Sequence, residues 1–305
     1  MLIVADDGSI EDANGHVQGR YTYYYASDDI PVRVIFIFGV GTDMQSSNYM
    51  TISKEIVTRC NAVLFIVLDH NPGNLIKLDG AKFASNANMI ASNPSKYFPS
   101  VKVEGGGGVS TSIMFVIGGH SAGGSAAIDA MNDGQLLFTP AGLLGLDPYG
   151  TSGFKGLHIP IPGLFWGFDK TTCFVKINKA AEACYDIAPV NARALYRVHN
   201  DDGNIQHCIF ADDGCLACPA KKVGYWIRGC VGSSVKTFVG NMLMPPGTSF
   251  SHDAFWTAIP DEDRSKLTLY VNTDEVYVMV TKQKVLNVCD GTRRMYAYAR
   301  RFLFA

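Results

Sequence analysis

A strand–turn–helix pattern around one serine constrains the fold of this chain more than any other feature of its sequence. An apolar run at residues 113–117 is typical of a buried strand, and the alanine-rich segment that ends at Ala130 favours a helix. Between them stands Ser121, with Gly119 and Gly123 two positions away on either side. These glycines lack the Cβ atoms that would clash as strand and helix close together. The pattern predicts a nucleophile elbow, which presents the serine hydroxyl at the positive end of a helix.

Other apolar runs predict a parallel sheet. Residues 32–38 and 62–68 have the near-continuous apolar character of strands buried on both faces, and residues 49–60 between them show helical spacing. A strand–helix–strand order implies parallel strands with a right-handed crossover. Further strands are predicted at 20–26, 143–146, 163–168 and 194–198, and further helices at 84–91 and 223–242. The predicted fold class is α/β, a mostly parallel central sheet flanked by helices on both faces.

The last sixty residues differ in character from the rest. We predict an α/β domain over 1–244 and a C-terminal extension over 245–305 that packs on the core. Within the extension, residues 249–256 are predicted to form a loop, and 266–281 a β-hairpin around Asn272-Thr273-Asp274.

Composition excludes several classes of function. The chain has 305 residues and a formal charge of −2, so it lacks the basic stripe that a nucleic-acid partner requires. No apolar run approaches the roughly 20 residues that span a bilayer, which predicts no transmembrane segment. The first residues, M-L-I-V-A-D-D-G, turn acidic after four positions and do not resemble a signal peptide, although the compartment stays open.

The chain has eight cysteines, four of them between Cys208 and Cys230. Disulfides, buried free thiols and a zinc site are the three interpretations of this number. Zinc is disfavoured because Cys215-x-x-Cys218 has no second C-x-x-C or H-x₃₋₅-H partner. We expect no metal ion and no cofactor, because chemistry at a serine nucleophile requires neither.

Serine is a poor nucleophile at its free pKa, so Ser121 needs a histidine base. Four histidines follow it: His158, His199, His207 and His252. His207 is favoured because it lies in a loop between a predicted strand and the closing helix, where the base belongs in this chain order. His252 remains an alternative if the chain folds back. His199, at a strand end, is more typical of a structural residue, and His158 precedes a strand, at the wrong end of the sheet.

Two carboxylates compete to orient the base. Asp147 ends the first strand after the elbow helix, and Asp169 ends the next one. Both positions occur in this architecture, and spacing alone leaves the choice open.

Two backbone N–H groups are expected to bind the oxyanion. One belongs to Ala122, directly after the serine. The other is expected from the loop after the strand at 32–38, at Val40 or alternatively at Gly41.

With these residues considered, the chain resembles an α/β-hydrolase, and more narrowly the branch of chlorophyllases and platelet-activating-factor acetylhydrolases, with polyester hydrolases and cutinase-like lipases as cousins. The resemblance runs from about Tyr21 to Leu243. It rests on Gly119-His120-Ser121-Ala122-Gly123-Gly124, on Gly145-Leu146-Asp147-Pro148, and on His207 followed by Phe210-Ala211-Asp212-Asp213. The chain departs from many relatives in carrying Phe38-Gly39 in the oxyanion loop where they have His-Gly.

The resemblance implies a serine carboxylic-ester hydrolase with a Ser121, Asp147 and His207 triad. The similar L/I-D-P of chlorophyllases favours Asp147, whereas polyester hydrolases place the acid at a position that matches Asp169. The expected substrate is a small or lipid-like apolar ester, such as a long-chain, phytyl or phospholipid ester, because aromatic residues are expected near the site: Tyr149, Phe165, Trp166 and Phe168. Ordinary core packing explains those aromatics equally well. The alternative function is a non-catalytic binding protein of the same fold for a hydrophobic ligand.

Overall fold

The computed structural model describes residues 2–12, 14–27, 30–69, 79–104, 113–149, 157–170, 180–200, 204–215, 218–219, 224–245 and 247–272. The strands are β1 (Ile3–Glu11), β2 (Val17–Ala26), β3 (Val34–Gly39), β4 (Val63–Leu68), β5 (Met114–His120), β6 (Gly142–Leu146), β7 (Gly163–Phe168), β8 (Arg193–Val198), β9 (Gly214–Cys215), β10 (Cys218–Pro219) and β11 (Leu267–Val271). The helices are α1 (Met50–Arg59), α2 (Gly80–Ser92), α3 (Pro94–Tyr97), α4 (Ala122–Asn132), α5 (Ala180–Ile187), α6 (Trp226–Met242), α7 (His252–Thr257) and α8 (Asp261–Arg264).

In the described part of the chain, nine strands form one sheet in the order β1-β2-β4-β3-β5-β6-β7-β8-β11. The six central strands, β3 to β8, run parallel to one another, and β1, β2 and β11 pair antiparallel at the two edges. The predicted α/β class with a mostly parallel central sheet is therefore confirmed. Because the six parallel strands all end at one edge, the turns that follow them lie side by side there.

The sheet is covered on both faces, because alternate residues of each strand point to opposite sides. In β3, Val34, Phe36 and Phe38 pack into the core layer under α1, α6 and α7. Ile35 and Ile37 pack into the opposite layer, under α2, α4 and α5. All five side chains are buried, as predicted for a run without polar alternation.

The C-terminal segment contributes to the main sheet. β11 pairs antiparallel with β8, with Leu267 opposite Val198 and Val271 opposite Ala194. The second half of the hairpin predicted at 266–281 lies outside the described residues.

The loop predicted at 249–256 is wrong, because α7 begins at His252. Ser251 caps this helix, its Oγ accepting a hydrogen bond from the Ala254 N–H at 3.3 Å. Phe255 and Trp256 then bury the inner side of the helix.

None of the helices in the described residues combines the length and the apolar character needed to cross a lipid bilayer.

Candidate active site

Ser121 is the single residue between β5 and α4, in a strained backbone conformation. Its φ is 53° and its ψ −123°, a region that side-chain-bearing residues rarely adopt. The flanking glycines are required sterically. A Cβ on Gly119 would lie 2.3 Å from the Gly123 carbonyl carbon, and one on Gly123 would lie 2.2 Å from the Gly39 oxygen. The strand–turn–helix context predicted for the serine is confirmed.

The backbone groups of Ser121 are hydrogen-bonded, whereas the Ala122 N–H that follows it has no backbone acceptor among the described residues. The Ser121 N–H donates to the Leu146 carbonyl at 3.1 Å, and the Ser121 carbonyl accepts from Ser125 and Tyr149. The Ala122 N–H, at the first position of α4, has no acceptor within the helix. The amide predicted to follow the nucleophile in an oxyanion hole is thus free of intrahelical bonding, at the positive end of the helix dipole.

Of the two candidate acids, Asp147 contacts His207. The His207 Nδ1–H donates to Asp147 Oδ2 at 2.7 Å, and the side chains are only 7% and 3% exposed. Asp169 instead accepts a hydrogen bond from the Asn200 N–H at 2.8 Å, which connects the segments that follow β7 and β8. The structure brings Asp147, and not Asp169, to the histidine that the sequence favours.

Strand register explains why Asp147 lies beside the serine. Leu146 of β6 is the register partner of His120 of β5, so the residues that follow, Ser121 and Asp147, leave the sheet at the same level. Asp147 also has a positive φ, 43°, which turns the chain away from the strand.

The other three histidines have partners elsewhere. His199 Nε2 lies 2.7 Å from Thr268 Oγ1. The His252 ring stacks on Trp256 at a centroid distance of 6.2 Å. The His158 N–H donates to Asn132 Oδ1 at 2.8 Å, and the residue is exposed. His207 is therefore the only one of the four that the structure joins to a predicted acid among the described residues.

His120, the residue directly before the serine, contacts His207. The ring of His120 lies 4.6 Å from the His207 ring between centroids. Its Nε2 is 3.0 Å from the His207 carbonyl oxygen. Among the described residues, the hydrogen bonds of His207 do not include one to the Ser121 hydroxyl. Such bonds are often long before substrate binds.

The loop after β3 holds a second predicted oxyanion donor, Val40. Its N–H donates to the Leu68 carbonyl at 3.4 Å, a long continuation of the sheet. The alternative, Gly41, donates its N–H to Tyr49 Oη at 2.8 Å. The Thr42 N–H has no acceptor among the described residues. In this conformation the amide of Thr42, which the sequence did not single out, is more available than that of Val40.

Arg228 supports the turn that carries His207, and it was missed from the sequence. The turn is a short 3₁₀ helix, His207–Phe210. The Arg228 Nε–H donates to the Ile209 carbonyl at 2.7 Å, and Nη1–H donates to Asp212 Oδ1 at 2.6 Å. Arg228 is 3% exposed. Arg228 could have been recognised from the sequence as an arginine on the mostly apolar inner face of the predicted helix at 223–242, because a buried charge requires a partner.

The four aromatic residues expected near the site divide into two groups. Phe165 and Trp166 are completely buried and belong to the two core layers, which is the core packing allowed for above. Phe168 is also buried, with its ring 5.6 Å from that of Phe210. Tyr149 is partly exposed, and its N–H donates to the Ser121 carbonyl at 3.0 Å. Tyr149 is therefore the aromatic residue best placed to touch a substrate.

Four cysteine thiols lie in the described residues, and none of the four forms a disulfide: Cys60, Cys184, Cys208 and Cys230. Of the Cys215-x-x-Cys218 pair, the structure describes the backbone strands β9 and β10, and the thiols lie outside the described residues. In the part of the chain that is described, no three histidine, cysteine or acidic side chains are grouped so as to hold a metal ion.

No protein-family model matches this chain, and no curated protein matches it significantly. Inferences about function therefore depend on the geometry of the site and on the motifs in the sequence.

Proposed function

We propose that this protein is a serine carboxylic-ester hydrolase that acts through an acyl-enzyme. One observation carries the proposal: the buried bond of 2.7 Å between His207 Nδ1 and Asp147 Oδ2, at the sheet edge where Ser121 holds a φ of 53°. An imidazole oriented by a buried carboxylate beside a strained serine is the arrangement that nucleophilic acyl transfer needs.

In the proposed reaction, Ser121 Oγ attacks the ester carbonyl carbon while His207 Nε2 takes the hydroxyl proton. The imidazolium then gives that proton to the departing alcohol oxygen, which leaves an acyl-serine. A water molecule repeats the two steps with His207 as base, and the carboxylic acid leaves. Asp147 accepts the Nδ1–H throughout, so that Nε2 is unprotonated when the serine approaches, and its charge stabilises the imidazolium.

The negative oxygen of each tetrahedral intermediate requires hydrogen-bond donors. The Ala122 N–H is supported by its position at the first turn of α4, where the helix dipole adds to the attraction. The second donor belongs to the loop after β3. Val40 serves only if its 3.4 Å bond to Leu68 opens, whereas Thr42 requires no such change among the described residues.

The finer fold, an α/β-hydrolase, is part of the same proposal. Its support is the placement of an elbow serine after β5, an acid after β6 and a histidine after β8, which is the Ser, Asp, His chain order of that superfamily. The resemblance to chlorophyllases and lipases extends the proposal to an apolar or lipid-like ester as substrate, and the partly exposed Tyr149 beside Ser121 supports it.

The test is p-nitrophenyl ester turnover by the parent protein, Ser121→Ala and His207→Ala. We expect each variant to lose at least about 10³-fold in kcat. His158→Ala is the matched control, because this exposed histidine has no part in the site. A fluorophosphonate probe should add one adduct to the parent and none to Ser121→Ala, as read by intact mass and peptide mapping. Parent turnover equal to that of Ser121→Ala, with no adduct, would overturn the proposal in favour of a binding protein.

A further inference from the structure

Two buried residues beside the site have no role in the proposed reaction. Tyr49 precedes α1, and His120 is the last residue of β5, directly before Ser121. Both have no exposed surface. A fully buried histidine and tyrosine hydroxyl are costly to desolvate unless they are hydrogen-bonded, so their partners are informative.

The two side chains connect two separate loops of the site. His120 Nε2 lies 3.0 Å from the His207 carbonyl oxygen, on the turn that carries the base. His120 Nδ1 lies 2.8 Å from Tyr49 Oη. Tyr49 Oη in turn accepts the Gly41 N–H at 2.8 Å, in the loop that holds the predicted oxyanion donors.

The donors and acceptors in this series of hydrogen bonds can be assigned in one consistent way. A carbonyl oxygen can only accept, so His120 Nε2 carries a hydrogen and donates it to His207. Burial lowers the pKa of His120 well below its usual range, so the ring is neutral and Nδ1 is an acceptor. The Tyr49 hydroxyl therefore donates to Nδ1. Met44 Sδ, also 2.8 Å from Tyr49 Oη, is a thioether and a weaker acceptor than the imidazole nitrogen.

We propose that Tyr49 and His120 are positioning residues, a directed hydrogen-bond bridge that holds the oxyanion loop and the base-carrying turn in register on either side of Ser121. We call this chain, from Gly41 through Tyr49 and His120 to His207, the Tyr49–His120 bridge. The inference rests on the proposed function, because its purpose is to align groups for acyl transfer.

The bridge acts on both loops at once. It occupies the Gly41 N–H, and with the Met44 N–H to Gly41 carbonyl bond of 3.2 Å it holds the turn in which the Thr42 amide remains available. At its other end it fixes the His207 backbone while Asp147 fixes the ring. Losing it should misplace these groups by a fraction of an ångström to an ångström without removing any of them.

Such misplacement should lower kcat and leave KM nearly unchanged. Tyr49→Phe keeps the ring and removes the hydroxyl, and we expect kcat to fall roughly 10- to 100-fold, because small misalignments of reacting groups cost about this much. KM should change by less than about three-fold, since the bridge touches no substrate. Tyr196→Phe is the matched control. It removes the hydroxyl of another fully buried tyrosine, whose hydrogen bond goes to the Phe255 carbonyl.

Variants of His120 separate positioning from packing. In His120→Gln, the amide nitrogen and oxygen are spaced like the two ring nitrogens, so both hydrogen bonds can re-form. In His120→Leu neither can. We expect His120→Gln to retain most of the parent kcat and His120→Leu to match Tyr49→Phe. The double variant Tyr49→Phe with His120→Leu should be no slower than either single variant, because each breaks the same bridge. A purely structural role would give additive losses and no rescue by glutamine.

A measurement without substrate keeps the inference independent of turnover. Long-range ¹H–¹⁵N spectra of the seven histidines should show His120 as the neutral tautomer with hydrogen on Nε2 and an acceptor Nδ1. The Nδ1 shift should move in Tyr49→Phe and not in Tyr196→Phe. Hydrogen on Nδ1, or kcat unchanged by Tyr49→Phe in an active parent, would overturn the bridge. An inactive parent with the expected tautomer and shift would refute the hydrolase and leave the bridge as the connection between these loops.

Discussion

Replacing Asp147 by asparagine leaves the shape of the proposed site almost unchanged but removes the negative charge that faces His207. The side chain keeps its shape in a position that is 2% exposed, where the present carboxylate oxygen Oδ2 lies 2.7 Å from His207 Nδ1. An asparagine that turns its NH₂ toward Nδ1 favours the tautomer with hydrogen on Nε2. That imidazole cannot take the Ser121 proton, and the imidazolium loses its counter-charge.

The magnitude follows from the loss of that counter-charge. Unit charges about 4 Å apart attract by about 4 kcal/mol at an effective dielectric constant of about 20, the value suited to partly relaxed protein sites. At about 1.4 kcal/mol per factor of ten, this corresponds to about 10³ in kcat. The wrong tautomer raises the expected loss toward about 10⁴.

The assay is kcat on a saturating p-nitrophenyl ester, with thermal unfolding as a check that the variant folds. Asp169→Asn is the control, since Asp169 accepts a backbone N–H from Asn200 and does not contact His207. We expect it to keep kcat within about ten-fold of the parent. If Asp147→Asn stayed within ten-fold of the parent while Asp169→Asn lost about 10³, the assignment of the acid from the 2.7 Å contact would be refuted.

Three further predictions concern stability and reactivity. Gly123→Ala should lower the free energy of unfolding in urea by about 2–4 kcal/mol, because its Cβ would lie 2.2 Å from the Gly39 backbone. The control is Gly240→Ala, in open space on α6, which should be neutral or stabilising. Equal effects of the two substitutions would contradict the steric argument. His120 is neutral when folded and has an ordinary pKa of 6.5 when unfolded, so stability should fall as pH drops below 6.5, by up to about 1.4 kcal/mol per pH unit. The His120→Gln variant should have a shallower dependence, and an unchanged slope between pH 5 and 7 would contradict this. Burial raises the pKa of Cys60 to about 11, so at pH 8 iodoacetamide should label it about 100-fold more slowly than an unperturbed thiol, by mass spectrometry of native protein.

The central elements were predictable because their sequence signals are local. β7 coincides with the predicted strand at 163–168, and β3 and β4 begin within two residues of their predicted starts. Their apolar runs lack the alternation of apolar and polar residues that a half-exposed strand shows. Such an unbroken run is typical of a short strand buried on both faces. The Ser121 turn was also predictable from its glycine spacing: the contact that excludes a Cβ at Gly119 is with Gly123, four residues along the chain, although the one that excludes a Cβ at Gly123 is with Gly39.

The rest of the site depends on contacts between distant segments, which no local pattern encodes. Asp147 and Asp169 both follow strands, and only the three-dimensional position of His207 separates them. The engagement of the Val40 and Gly41 amides follows from the positions of Leu68 and Tyr49. The strand β11 pairs with β8 across about seventy residues, so its partner could not be read from the hairpin-like sequence around it.

Backbone strain in this protein is concentrated where the chemistry is proposed. Among the described non-glycine residues, positive φ occurs at Asp43, Ser121, Asp147 and Asn272. The first three follow β3, β5 and β6, at the shared carboxyl edge of the parallel strands. Glycine would adopt these conformations without the cost of about 1–3 kcal/mol each. A hydroxyl and a carboxylate stand at two of these positions instead, and the strain they impose is a large fraction of the 5–15 kcal/mol by which a typical domain is stable. Such a cost is understandable if the side chains at those two turns are needed for what they do, as acyl transfer by Ser121 through His207 and Asp147 requires.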